Sequence, residues 1–280
     1  MYNLLIDISA LLYSLQFLFN DSYKRECGST PAAAIKFSFY TSAVGLVFLL
    51  IINRCNLEIS LFSALTALVY AVVCIVFSYC SVKAFESANL SVYSVFSMIG
   101  GMVLPFLCGL FLGEEFKLLR VIGVFVISAV IIFTADRSGK HKGGFKYYIA
   151  IFLLNGLVGV ISKIHQFFAD LGVDSASFMM LVKIWMLLIS AVLLLIMKKS
   201  FALSGKALCV CGIYSAVNSV GNLMLLIALL HLPASVQYPL VTGGTMLFAF
   251  VIGLIRRDRV TLRNILGTVL AVASTVIIII

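Results

Sequence analysis

Three lysines stand inside long apolar stretches of this sequence: Lys36, Lys163 and Lys183. A lysine at the centre of a bilayer costs about 2.5–3.5 kcal/mol on insertion scales, so one placed there needs a task. Lys183 lies near the middle of its apolar run and is the leading candidate to meet an anionic group. Lys163 and Lys36 lie closer to the ends of their runs, where a long side chain can snorkel to water. Amides add to the picture. Gln16 with Asn20, and Asn218 with Asn222, fall on common helical faces at a spacing of four. Amides are costly to bury without partners, so these four are expected to line a cavity rather than to face lipid.

Hydroxyl-bearing stripes run alongside. Ser87, Ser91, Ser94 and Ser97 share one face with Gly101, and Ser235, Tyr238, Thr242 and Thr245 share another. Such residues serve as glue between helices or as cavity lining. Ser94, Tyr238 and Thr242, with Lys163, Lys183 and the four amides, form the expected substrate-binding set. Asp21 is the candidate coupling carboxylate, or a partner for Lys163. Gly100-Gly101 and Gly243-Gly244 read either as packing notches or as gate pivots. Pro105 and Pro239 fall inside the same runs, where a kink frees carbonyls.

Enzyme chemistry finds little support. No HExxH, no P-loop and no facing pair of aspartates is present, and His165 is alone in its run. The seven cysteines contain no CxxC pair, so neither metal nor cofactor is expected.

The elements that must position these groups follow from composition. Of 280 residues, 62% are hydrophobic and 11% charged, with mean hydropathy +1.16. Soluble domains carry roughly 25% charged residues. An all-α polytopic membrane protein is therefore expected, with apolar spans at 3–21, 34–53, 61–84, 89–112, 118–135, 146–169, 175–197, 206–230, 233–255 and 262–280. The longest polar break, from Asp136 to Lys146, divides the chain into 1–138 and 139–280, each with five spans. The halves look related. Gly100-Gly101 recurs as Gly243-Gly244 and Arg120 as Arg263 at a separation of 143, Gly123 as Gly267 at 144, and Asp21 aligns with Lys163 at 142. Five is odd, so two consecutive halves enter the membrane in opposite directions, an arrangement typical of secondary transporters.

Here the chain resembles the drug/metabolite transporter superfamily, in its ten-helix EamA-like branch. The resemblance spans nearly the whole sequence and is carried best by KAFESANLSVYSVFSMIGGMVLPFLCGLFLGEEF, from Lys83 to Phe116, with its Gly113-Glu114 exit. Its second-half counterpart is HLPASVQYPLVTGGTMLFAFVIGLIRRDRV, from His231 to Val260. Lys36-Phe37 stands where that family usually has Arg-Phe, and Lys163 resembles the lysine of its sixth helix. Two departures stand out: Arg256-Arg257 replaces the second glycine-glutamate, and Tyr13-Ser14 stands in place of Trp-Gly. The resemblance implies two inverted five-helix repeats around a central cavity.

Loop charges address orientation. The connections after odd-numbered spans hold most of the 20 basic residues, whereas the opposite set holds only Arg54, Lys117 and Arg120. By the positive-inside rule both termini are extracytoplasmic. The net charge of +9 then reflects topology, and no nucleic-acid partner is expected. The reading is a secondary transporter of the inner or plasma membrane, exporting a small polar metabolite such as an amino acid or organic acid. The alternative is a flippase of a lipid-linked carrier, or a non-transporting subunit of a membrane complex. Its partners are the bilayer and the metabolite, and spans five and ten offer a face for a homodimer.

Overall fold

The computed structural model describes residues 2–28, 30–87, 90–115, 117–134, 145–255, 262, 265–270 and 273, with side chains at all of these except 17, 21, 82–87, 90–95, 134 and 145. Among the described residues the chain is helical and holds no strand. The helices are α1 (Tyr2–Cys27), α2 (Pro31–Ile52), α3 (Leu61–Ser87), α4 (Leu90–Phe111), α5 (Leu118–Thr134), α6 (Phe145–Phe167), α7 (Ser175–Ile196), α8 (Gly205–Leu229) and α9 (Ala234–Ile255). Seven of them, α1, α2, α3 and α6 to α9, are long and apolar enough to cross a membrane, and α4 and α5 carry shorter apolar stretches, Phe96–Phe111 and Leu118–Phe133. This is compatible with a multi-pass membrane protein. Of the tenth expected span, residues 265–270 are helical and most of the remainder lies outside the described residues.

Local chemistry explains where the helices begin. Thr30 caps α2 by accepting from the Ala33 N–H, with Pro31 in the first turn, where its missing donor costs nothing. Asp174 caps α7 through the N–H groups of Ala176 and Ser177, and Ser204 caps α8 through that of Ala207. The ends of α2 and α7 are built alike. Asn53, Arg54 and Cys55 donate to Leu49, Ile51 and Leu50, and Met197, Lys198 and Lys199 donate to Leu193, Leu195 and Leu194. Both are Schellman closures, with Arg54 and Lys198 left-handed at φ 53° and 51°. The two motifs are 144 residues apart, the separation at which Gly123 recurs as Gly267.

Packing joins the two halves more than it joins neighbours along the chain. The main contacts pair α4 with α6 and α9, α1 with α8 and α9, α2 with α7 and α8, and α3 with α6 and α7. The α4–α6 contact rises in step along both helices: Asn155 meets Ser97 and Gly159 meets Pro105. The α1–α9 contact does the same, with Ile6 near Val241 and Ala10 at Gly244 and Thr245. These crossings are close because they carry no side chain. A methyl at Gly100 would run into the Phe152 backbone, and one at Gly244 would sit 2.9 Å from the Ala10 methyl. The outside is apolar. On α3 the exposed positions Leu61, Leu65, Val69, Val72 and Val76 form one stripe, the reverse of a soluble helix.

Candidate functional site

Lys183 is buried in α7, and its ammonium reaches the neighbouring helix α8 to donate to Asn218 Oδ1 at 2.9 Å. Gly45 of α2 makes room: a methyl there would sit 3.2 Å from Lys183 Cε. Asn218 Nδ2 in turn donates to Gln16 Oε1 of α1 at 3.1 Å. One helical turn further along α8, Asn222 Oδ1 accepts from the Tyr13 hydroxyl at 3.0 Å, and Asn222 Nδ2 donates to the Asn218 carbonyl. A chain of polar groups thus runs from α7 through α8 to α1.

These residues face inward. On α1 the exposed positions Leu4 and Leu11 lie on the face opposite Tyr13 and Gln16, and on α8 the exposed Ile213 lies opposite Asn222. Tyr13, Gln16, Asn218 and Asn222 are nonetheless only half-buried. Tyr70 and Cys74 of α3 pack in the same cluster as Leu181 and Val182, the chain neighbours of Lys183. Among the described residues no carboxylate pairs with Lys183.

Of the expected binding set, Lys183, Gln16, Asn218 and Asn222 are brought together. Asn20 makes no hydrogen bond to them. Tyr238 donates to the Gly159 carbonyl of α6 at 3.0 Å, and Thr242 turns back onto the Tyr238 carbonyl of its own helix. The side chains of Ser94 and Asp21 lie outside the described residues. Gly100, Gly101 and Gly244 lie at the close helix crossings, and Gly243 is buried. Tyr13 stands three residues before Gln16, on the same helical face. Tyr70 and Cys74 had no such signal.

Lys163 departs from expectation. It forms an ion pair with Glu114 Oε1 at 2.7 Å, both side chains only 10% exposed, instead of joining Lys183. The local fold explains why. Gly113 adopts φ 91° in a Schellman closure of α4, so the Glu114 N–H returns to the Gly109 carbonyl and the carboxylate lies over Gly109. From there it also accepts from the Ala234 and Ser235 N–H groups, at 2.6 and 2.9 Å, and so caps α9. Arg120 donates to the Ser235 hydroxyl beside it. Burial pushes the Glu114 carboxyl up, but the Lys163 ammonium and the Ser235 and Ala234 donors outweigh it and hold the group below the usual carboxylate range.

A solved structure shares this fold. It matches with TM-score 0.75 at 12% identity, over 99% of this chain and 96% of that one, and is described only as "Crystal structure of protein". No protein-family model matches the chain, and no curated protein matches it.

Two further groups complete the map. His165 is stacked on Phe178 at 3.8 Å between centroids, and its Nε2 bonds the Ser63 hydroxyl at 2.9 Å. Ser63 also accepts from the Val173 N–H, so this buried pair ties α3, α6 and the start of α7 together and has no room for a substrate. Ser63→Ala is expected to lower stability by about 1–3 kcal/mol, because it removes the partner of a part-buried N–H and of a buried ring nitrogen. A thermal melt in detergent that matches the unmodified protein would remove this role. Lys36 donates to the Ala202 carbonyl beside a cavity of about 350 Å³, lined also by Tyr23, Glu26, Thr30 and Lys199.

Proposed function

We propose that this chain is a secondary transporter for a small polar metabolite, an amino acid or organic acid, working by alternating access through the region around Lys183. The observation that carries this reading is Lys183 itself: a buried cation in a helix long enough to span a membrane, bonded to an amide and to no carboxylate among the described residues. A structural lysine would be matched by a buried carboxylate, as Lys163 is by Glu114. A lysine whose partner among the described residues is an amide is suited to an anionic group that arrives and leaves.

The ten-helix inverted repeat is part of the same proposal. Moving every helix label by five maps the α4–α6 contact onto α9–α1, α3–α6 onto α8–α1 and α3–α7 onto α8–α2, while α2–α7 and α4–α9 map onto themselves. The twin Schellman closures at a separation of 144 obey the same relation. Both support the EamA-like assignment and a site between two halves, the usual place for cargo in inverted-repeat carriers. In this reading the basic connections face the cytoplasm of an inner or plasma membrane.

The test is metabolite profiling of medium and cell extract from cells expressing the protein, its Lys183→Met variant or an empty vector. A small anion or zwitterion should accumulate in the medium only with the unmodified protein. Equal shifts with both proteins would keep transport and remove Lys183 from the site. No difference among the three would remove the exporter reading.

A further inference from the structure

The hydrogen bonds around Lys183 have a direction that no reassignment of amide atoms can reverse. An ammonium only donates, so the Asn218 atom at 2.9 Å from Lys183 Nζ must be the carbonyl oxygen. The other end of that amide is then its NH₂, which must donate, so the Gln16 atom it meets at 3.1 Å must be oxygen. Every link is thereby set by the lysine. The chain ends at Gln16 Nε2, which is buried and has no hydrogen-bond partner among the described residues. Beside it, the Asn222 carbonyl oxygen is also taken, by the Tyr13 hydroxyl.

The one amide atom of this cluster left wholly unpartnered among the described residues is therefore a donor. Among the described residues Lys183 uses one of its three N–H groups and Gln16 Nε2 neither of its two, while the side-chain oxygens of Gln16, Asn218 and Asn222 each accept one hydrogen bond and keep a second lone pair. A buried donor without an acceptor is costly, and an arriving acceptor removes that cost. The charge points the same way. Lys183 is the cation of this cluster, and among the described residues no carboxylate pairs with it.

We infer that the site takes a small carboxylate anion that carries no ammonium group, with Lys183 and Gln16 Nε2 as the donors that hold it. This deepens the transporter reading and rests on its central assumption, that cargo binds at Lys183. An amino acid would bring the same carboxylate, but its ammonium would enter a donor-rich region beside a fixed positive charge. Discrimination of about tenfold or more against it is the expected consequence of unmatched polar groups. A polyamine would meet only repulsion.

Calorimetry on the purified full-length protein in detergent tests this with lactate, pyruvate and succinate as anions. Lactamide serves as the neutral analogue of lactate, alanine as its zwitterionic analogue, and putrescine as a cation. At least one acid should bind, with lactamide and alanine at least tenfold weaker than lactate where lactate is the ligand, and putrescine silent. Lys183→Met should reduce acid binding at least tenfold, Gln16→Leu severalfold, and Lys183→Arg should retain most of it. The comparison among ligands on the unmodified protein decides the matter even if a variant fails to fold. Tighter binding of alanine or putrescine, binding of no acid, or acid binding unchanged in both Lys183→Met and Gln16→Leu would overturn the inference. Counterflow in proteoliposomes separates it from the parent reading. Acid binding without counterflow removes the transporter and keeps the anion site, whereas counterflow of alanine and of no acid does the reverse.

Discussion

Replacing Glu114 by Ala should be among the most damaging single changes, at about 3–5 kcal/mol. It strands the Lys163 ammonium in a site that is 10% exposed, and removing one partner of a buried pair typically costs that much. It also uncaps α9, because the same carboxylate accepts the Ala234 and Ser235 N–H groups. The order of severity is the informative part. Glu114→Gln keeps one acceptor for the α9 N-terminus and should cost less than Glu114→Ala. Lys163→Met should cost least, since Glu114 would still be held by two backbone donors at the positive end of a helix. Combining Glu114→Gln with Lys163→Met should recover much of the loss. Thermal melts in detergent read the series, and a Lys163→Met variant as unstable as Glu114→Ala would refute the arrangement. Acid provides a second check. A carboxyl held below its usual value stabilises the fold above that usual value, roughly pH 4. This contribution is lost as pH falls through the lower, folded-state value. The unmodified protein should therefore weaken in that window while Glu114→Gln loses this part of the dependence.

Gly100→Val is expected to give little or no folded protein. The added Cβ would be driven into the Phe152 backbone, which cannot swing aside as a side chain can. Overpacking of this kind costs about 1–3 kcal/mol and occasionally more, and a backbone collision at a tight crossing belongs at the upper end. The crossing is continuous, since Gly156 faces the Gly100 carbonyl and Gly159 faces Pro105 one turn on. Gly212→Val is the control: it changes the same residue type inside an apolar helix where nothing lies within 4 Å. Size-exclusion profiles of fluorescently tagged variants compare the two. If Gly100→Val elutes as the same sharp peak as Gly212→Val, the packing account of the α4–α6 contact fails.

The meeting of Lys183 with Gln16, Asn218 and Asn222 was foreshadowed by residue type and period, whereas Asn20, on the same stripe, does not join them. A cation or an amide in apolar sequence is expensive wherever it ends up, so its presence marks an interior face before any partner is known. The helices were legible for the same reason, because runs of about 20 apolar residues have few alternatives. Lys163 was not legible. Its alignment with Asp21 suggested a pair across the repeat, yet its partner is Glu114. That choice depends on the left-handed turn at Gly113 and on where the start of α9 lies, neither of which a hydropathy profile contains.

What the sequence determined by itself was which groups could not face lipid, because the cost of exposing a charge or an amide there belongs to the residue and not to its neighbours. What only the tertiary structure decided was which of those groups satisfy one another. Glu114 neutralises Lys163 because α4, α6 and α9 converge at one point, and no carboxylate among the described residues reaches Lys183, which α7 sets against an amide of α8. Hydrogen bonds and ion pairs act over about 3 Å, so the difference between a lysine paired with a carboxylate and one bonded to an amide is set by helix packing.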